Sequence, residues 1–257
     1  MAFVLFLPAV TLLTGCNVDK TAQNVETPVG STPPSDKTKD EGIKKHEETK
    51  YISPKNDLLK DGGKPEDIAV LVNKKFQLPS NFKPSDLVEP NVPFIFKEKD
   101  EKRLMRQEAA QALEKLFAEA NKDGIHLAGV SAYRSYATQQ SLFTYYVNVQ
   151  GEEAARKYSA EPGHSEHQTG LAIDVSGSTG QCAVEDCFAD TPEAAWLAKH
   201  APEFGFMIRY PKGKESITGY NYEPWHIRYV GTKISKEIAE KGITLEEYLT
   251  NAVLVAK

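Results

Sequence analysis

The stretch Ser165-Glu166-His167-Gln168-Thr169-Gly170-Leu171-Ala172-Ile173-Asp174 leads a polar loop into an apolar strand and plants a carboxylate inside it. Gly170 gives the backbone a tight turn, and Leu171, Ala172 and Ile173 carry Asp174 inward. A buried carboxylate without a partner costs several kcal/mol, and a cation relieves that cost. Further along, Glu223-Pro224-Trp225-His226 opens a second apolar strand. His167, Asp174 and His226 are donor types that bind zinc at neutral pH. Three such ligands leave a fourth tetrahedral position for water, as a catalytic zinc requires. A His and an Asp at this spacing more often mark a surface pair or a turn bond, so the reading needs both stretches together.

The chain has only six histidines, which permits elimination. His46 lies in a polar N-terminal stretch and His126 at a helix–strand junction. His200 sits near the end of a polar helix, where a cation suits the dipole. His164 precedes the first stretch in a loop, placed to line a cleft without binding metal. His167 and His226 remain. Glu223, three positions before His226, is a candidate to take a proton from the water. Strand alternation would set the two on opposite faces, and Pro224 breaks that alternation. Spacing leaves a cleft-facing base and a solvent-exposed residue equally open. Trp225 is large enough to wall a pocket.

Outward from these stretches, the order of elements reads as α+β. Apolar residues at three- and four-residue spacing predict a helix from about Lys99 to Lys122, stopped by Asp123-Gly124. Leu127–Ala132 reads as a strand that delivers Tyr133-Arg134-Ser135. A helix over about 137–148 follows, with Leu142, Tyr145, Tyr146 and Val149 as its buried face, then a shorter one over Glu152–Tyr158. Strands are expected at 68–72, 171–175, 206–210 and 225–230, and helices at 192–200 and 233–252, the last broken at Gly242. Residues 79–93, rich in Pro and Asn, read as an arm lying over a surface.

The bulk numbers set the frame. At 257 residues, with 26% charged side chains and a formal net charge of −5, the chain has length for a real core and no basic stripe for nucleic acid. The apolar run Ala2–Leu13 is shorter than a membrane span needs. It ends in Leu13-Thr14-Gly15-Cys16, a secretory pattern whose ending is similar to a bacterial lipobox, with Cys16 lipidated. No Lys or Arg precedes the run, which leaves a start upstream of Met1 open, and a plain secretory signal with an incidental Cys is the alternative. Residues 17–60 carry eight basic and eight acidic side chains and almost no large apolar ones, so they cannot offset the cost of ordering and should act as a tether. The expected organisation is a signal peptide over 1–16, a tether over 17–60 and one domain over 61–257. That places the protein outside the cytoplasm, lipid-anchored and facing the cell wall. In an exported loop Cys182 and Cys187 are free to form a disulfide, and two free thiols remain the alternative.

The first stretch, followed by Glu223-Pro224-Trp225-His226-Ile227-Arg228-Tyr229-Val230-Gly231, resembles the VanY-type zinc D-alanyl carboxypeptidases, which trim peptidoglycan stem peptides. Tyr133-Arg134-Ser135, Pro162-Gly163-His164-Ser165, and Gly205-Phe206 through Arg209-Tyr210-Pro211 match that pattern in order. The run Arg209-Tyr210-Pro211-Lys212-Gly213-Lys214-Glu215 and the lipoprotein layout bring it nearest the LdcB-type L,D-carboxypeptidases. The resemblance implies a small antiparallel sheet with surrounding helices, the fold shared by the Hedgehog signalling domain and LAS-type peptidases. It implies zinc held by His167, Asp174 and His226, with Glu223 as general base. Arg134 would polarise the scissile carbonyl and stabilise the oxyanion, a role suited to a fixed, always-charged fork. Ser165 would donate to the substrate's C-terminal carboxylate, with Tyr133, Gln140, Tyr210 and Trp225 around the pocket. Arg209 reads first as an ion pair in the sheet. The expected reaction removes terminal D-alanine from the stem tetrapeptide by a monomer. The alternatives are D,D cleavage of the pentapeptide, cleavage within the wall that releases larger fragments, and a wall-binding module without turnover. The last has no need of Glu223 or Arg134.

Overall fold

Six strands and seven α-helices are found among residues 62–255, which the computed structural model describes. The expected signal peptide, Cys16 and the tether lie outside the described residues. In chain order the elements are β1 (Leu87–Val88), β2 (Met105–Arg106), α1 (Gln107–Lys122), β3 (Leu127–Ser131), α2 (Tyr136–Gln150), α3 (Glu152–Tyr158), β4 (Ala172–Gly177), α4 (Pro192–His200), β5 (Phe206–Tyr210), α5 (Glu215–Thr218), β6 (Glu223–Tyr229), α6 (Thr232–Lys241) and α7 (Leu245–Val255). Strands β3, β4, β6 and β5 lie side by side in that order, every neighbour antiparallel, and β1 pairs with β2 separately. The architecture is α+β.

The sheet has an apolar layer on each face because its strands alternate. On one side α1 lays Leu113, Leu116 and Phe117 against Ile173, Phe206 and Ile227. On the other, Met207 of β5 packs with Ile234 and Ile238 of α6 and with Leu245 and Leu249 of α7. Gly242, at φ 59°, ends α6 in the left-handed conformation and separates it from α7, at the expected break.

Three expectations need correction. The run Ile68–Val72 is buried but is not a strand. The carbonyls of Ile68 and Val70 accept from one nitrogen of Arg228, each at 2.9 Å, in place of a neighbouring strand. The helix expected from Lys99 begins only at Gln107. Asp100 caps a short 3-10 turn over Glu101–Arg103, and the Arg106 amide is taken by the Gly170 carbonyl at 2.8 Å. Finally, α2 buries only Gln139: Tyr145 and Val149 are each 60% exposed.

Candidate active site

Three segments bring the predicted ligands together. A 3-10 turn over Glu166–Thr169 holds His167, and Gly170 closes it in the left-handed conformation. Asp174 lies in β4 and pairs in register with His226 of β6. One donor atom from each of His167, Asp174 and His226 lies within 4.8 Å of the others, and all three residues are buried. His226 Nδ1 is 2.8 Å from Asp174 Oδ1, and His167 Nε2 is 3.3 Å from Asp174 Oδ2.

The ring nitrogens test whether zinc fits. His167 Nδ1 lies 2.7 Å from the Ala132 carbonyl, a partner that can only accept, so Nδ1 carries the proton and Nε2 turns a lone pair toward Asp174. His226 Nε2 faces Glu166 Oε2 at 3.5 Å, the outer limit of a hydrogen bond, and neither atom has another partner. A proton on Nε2 leaves Nδ1 free on the Asp174 side. Two nitrogen lone pairs and a carboxylate thus converge on one point, with a carbonyl and a second carboxylate behind the imidazoles. That is how proteins orient histidines around zinc, and the residues fit it.

Glu166 also anchors the sheet. Its Oε1 accepts from Arg209 Nε at 2.7 Å and from Arg228 Nη1 at 2.6 Å, and Arg209 reaches on to Glu246 of α7 at 2.7 and 3.0 Å. Arg209 is therefore an ion pair of the sheet. Burial alone would raise the Glu166 carboxyl, but the two guanidiniums hold it well below the usual range. With no metal bound, burial of His226 is outweighed by its bonds to Asp174 and Glu166, and the imidazole is pushed up to about 9. His167 goes the other way, because burial lowers it more than Asp174 raises it.

A backbone irregularity answers the question that alternation left open. Between the pairs Ile208–Ile227 and Tyr210–Glu223, β6 advances four residues while β5 advances two. This bulge, which includes Pro224, lets Glu223 and His226 line the same cleft. Burial pushes Glu223 up to about 7; the nearby His226 and Arg134 oppose the rise, while Asp174 and Glu166 add to it.

The cleft encloses about 150 Å³. Arg134, Ser165, Tyr210 and Trp225 line it with the three candidate ligands and Glu223, and Tyr210 stacks on His226 with ring centroids 5.1 Å apart. Tyr133 is buried but is not among the lining residues. Gln140 is exposed and away from the cleft, because the helix turns its neighbour Gln139 inward. Gln139 accepts from Arg134 Nη1 at 2.9 Å and donates to the Ala160 carbonyl at 2.6 Å, while Arg134 Nη2 reaches Ser131 at 3.2 Å. Arg134 is thus held as a fixed fork. Sequence reasoning missed Glu166 and Gln139. Arginines at 209 and 228 inside apolar strands were the available signal for a buried carboxylate. It also missed Leu142, Tyr146 and Val184 as lining residues. A disulfide joins Cys182 to Cys187 in the loop that bears Val184.

The sheet order, the flanking helices and the His–Asp–His cluster define the class of LAS-type peptidases. The family model of VanY, D-alanyl-D-alanine carboxypeptidase, matches residues 102–232. YodJ of Bacillus subtilis strain 168, named provisionally as a carboxypeptidase, is 49% identical over 198 residues, covering 75% of this chain and 72% of YodJ. The solved LdcB LD-carboxypeptidase is 50% identical with a TM-score of 0.71, covering 74% of this chain and 88% of LdcB. A mutant of the vancomycin-resistance D,D-pentapeptidase VanY, solved in complex with Zn(II), is 30% identical with a TM-score of 0.58, covering 72% of this chain and 99% of that one. The chain belongs to the VanY family of D-alanyl-D-alanine carboxypeptidases.

Proposed function

We propose that the protein is a zinc-dependent carboxypeptidase that removes the C-terminal D-alanine from peptidoglycan stem tetrapeptides, an L,D reaction. The observation that carries the substrate choice is the likeness to LdcB, at 50% identity against 30% for the D,D-pentapeptidase VanY. His167, Asp174 and His226 would hold the zinc, which when bound supplies Lewis acidity and lowers the pKa of water to about 7. Glu223 takes the proton of the attacking water and passes it to the leaving amine of D-alanine. Arg134, steadied by Gln139, receives the charge that develops on the carbonyl oxygen. Ser165 binds the free carboxylate at the cleft floor, and Tyr210 and Trp225 wall the pocket. Cys16 carries the lipid that anchors the protein outside the cytoplasm, so that a monomer works on the cell wall.

A second reading, D,D cleavage of the pentapeptide, is favoured by the family description itself. Mass spectrometry of purified tetrapeptide and pentapeptide stems, incubated with and without a chelator, separates the two. Loss of one alanine from the tetrapeptide alone, abolished by chelation, is the expected result. Loss from the pentapeptide alone reverses the specificity, and loss from neither overturns the assignment.

A further inference from the structure

We propose that Val184, at the tip of the disulfide-closed loop Cys182–Cys187, determines specificity by contacting the substrate upstream of the two residues that flank the cut. The inference rests on the carboxypeptidase reading of the cleft. The loop leaves the sheet at the end of β4, the strand that bears Asp174, and returns into α4. Both of its ends are fixed. Gly180 lies against Ile95 and its amide bonds the Gly177 carbonyl at 2.9 Å, while Phe188 is fully buried in the core.

Between these anchors the backbone is strained. Cys182 and Val184 are the only non-glycine residues at positive φ among the described residues, at 57° and 59°. A β-branched residue there is an outlier, and such strain persists where the surroundings impose it. The bridge closes a ring that contains Val184. Val184, an apolar side chain 44% exposed to solvent, lines the active cleft together with Leu142 and Tyr146 of α2. The lining thus combines a buried polar group, where His167, Asp174 and His226 meet, with a less buried group that holds Leu142, Tyr146 and Val184. A peptide whose last residue reaches the buried group must run its earlier residues out toward solvent past the less buried one. Apolar atoms of that stretch are the chemistry Val184 suits.

The test measures equilibrium binding in a Glu223→Gln background, where turnover does not interfere. Calorimetry compares the stem tetrapeptide with a dipeptide that ends at the same D-alanine, before and after Val184→Ala and, separately, the pair Cys182→Ser and Cys187→Ser. Removing two partly buried methyl-sized groups should weaken tetrapeptide binding roughly 3–10-fold and leave the dipeptide unchanged. Freeing the loop should do the same. Val184→Ala keeps the bridge, so it reads the contact even where the serine pair folds poorly. Unchanged tetrapeptide affinity in Val184→Ala, an equal loss for the dipeptide, or no measurable tetrapeptide binding overturns the proposal. Hydrolysis by the unaltered protein is read separately, and its absence counts against the proposed function without entering this comparison.

Discussion

Glu166 compensates two buried arginines with one oxygen and turns the other toward His226. Replacing it with Gln keeps the shape and removes the charge, leaving Arg209 and Arg228 with less compensation. Breaking a buried pair of this kind costs about 3–5 kcal/mol, and loss of the group behind a ligating imidazole weakens metal binding roughly 10–100-fold. Glu166→Gln should therefore lower both the melting temperature and the zinc affinity measured by chelator competition. A stability loss with unaltered affinity would confine Glu166 to the sheet. Glu223 faces the same cleft without touching the arginines. Its replacement by Ala should cut hydrolysis by about 10²–10⁴-fold while bound zinc, measured by atomic absorption, stays stoichiometric. Unchanged hydrolysis would remove Glu223 from the role of base. These residues were not equally legible. His167, Asp174 and His226 could be singled out because histidines are few and an Asp inside an apolar run demands a partner. Glu166 could not, because its partners come from β5 and β6, and pairing across forty or more residues leaves no local spacing to find.

At the level of single elements, one residue of register decides which of two adjacent glutamines matters. Ser135 caps α2 by accepting from the Thr138 amide, which fixes the phase of the helix and turns Gln139 inward to Arg134. Successive residues in a helix point about 100° apart, so Gln140 faces solvent. Gln139→Ala should reduce kcat by roughly tenfold by loosening the Arg134 fork, and Gln140→Ala should leave it within twofold. The apolar residues of α2 misled for a related reason: Leu142 and Tyr146 turn to a cleft rather than to a core, and periodicity does not distinguish the two. The strand β6 was legible as a strand, but its bulge was foreshadowed only by Pro224. Helix α7 ties to the site through Glu246 and Arg209. Burial would raise the Glu246 carboxyl, but Arg209 and Asn73 outweigh it and hold it low. A carboxyl lowered in the folded state contributes stability above its unfolded pKa, and that contribution disappears as pH falls through the folded value. Glu246→Gln should then destabilise the protein at pH 7 by about 2–4 kcal/mol and flatten the acid side of its stability curve. Parallel acid profiles for the two proteins would show that the pairing contributes nothing to the pH dependence.

For the molecule as a whole, the sheet has an apolar layer on each face, and neither layer includes a candidate ligand. Helices α1, α6 and α7 meet the sheet through Leu, Ile, Phe and Met, and those contacts do not depend on the cluster. The metal should therefore tighten a fold that already exists, unlike a small domain folded by its metal. What it would tighten is specific: the turn over Glu166–Thr169, β4 and β6 each contribute one ligand, and chelation would leave Asp174 with only the two imidazoles. A ligand at a hundred times its dissociation constant stabilises the folded state by about 2.7 kcal/mol, and a domain of this size shifts by about 2–4 °C per kcal/mol. Chelation should accordingly lower the melting temperature by about 5–10 °C while the far-ultraviolet dichroism at room temperature stays the same. Restoring zinc should return the transition to its original position. Unfolding at room temperature on chelation would mean that the cluster holds the fold together, against the packing of the two layers. No shift at any zinc concentration would mean that His167, Asp174 and His226 bind no metal, and that His167 and His226 suffice to offset the buried Asp174.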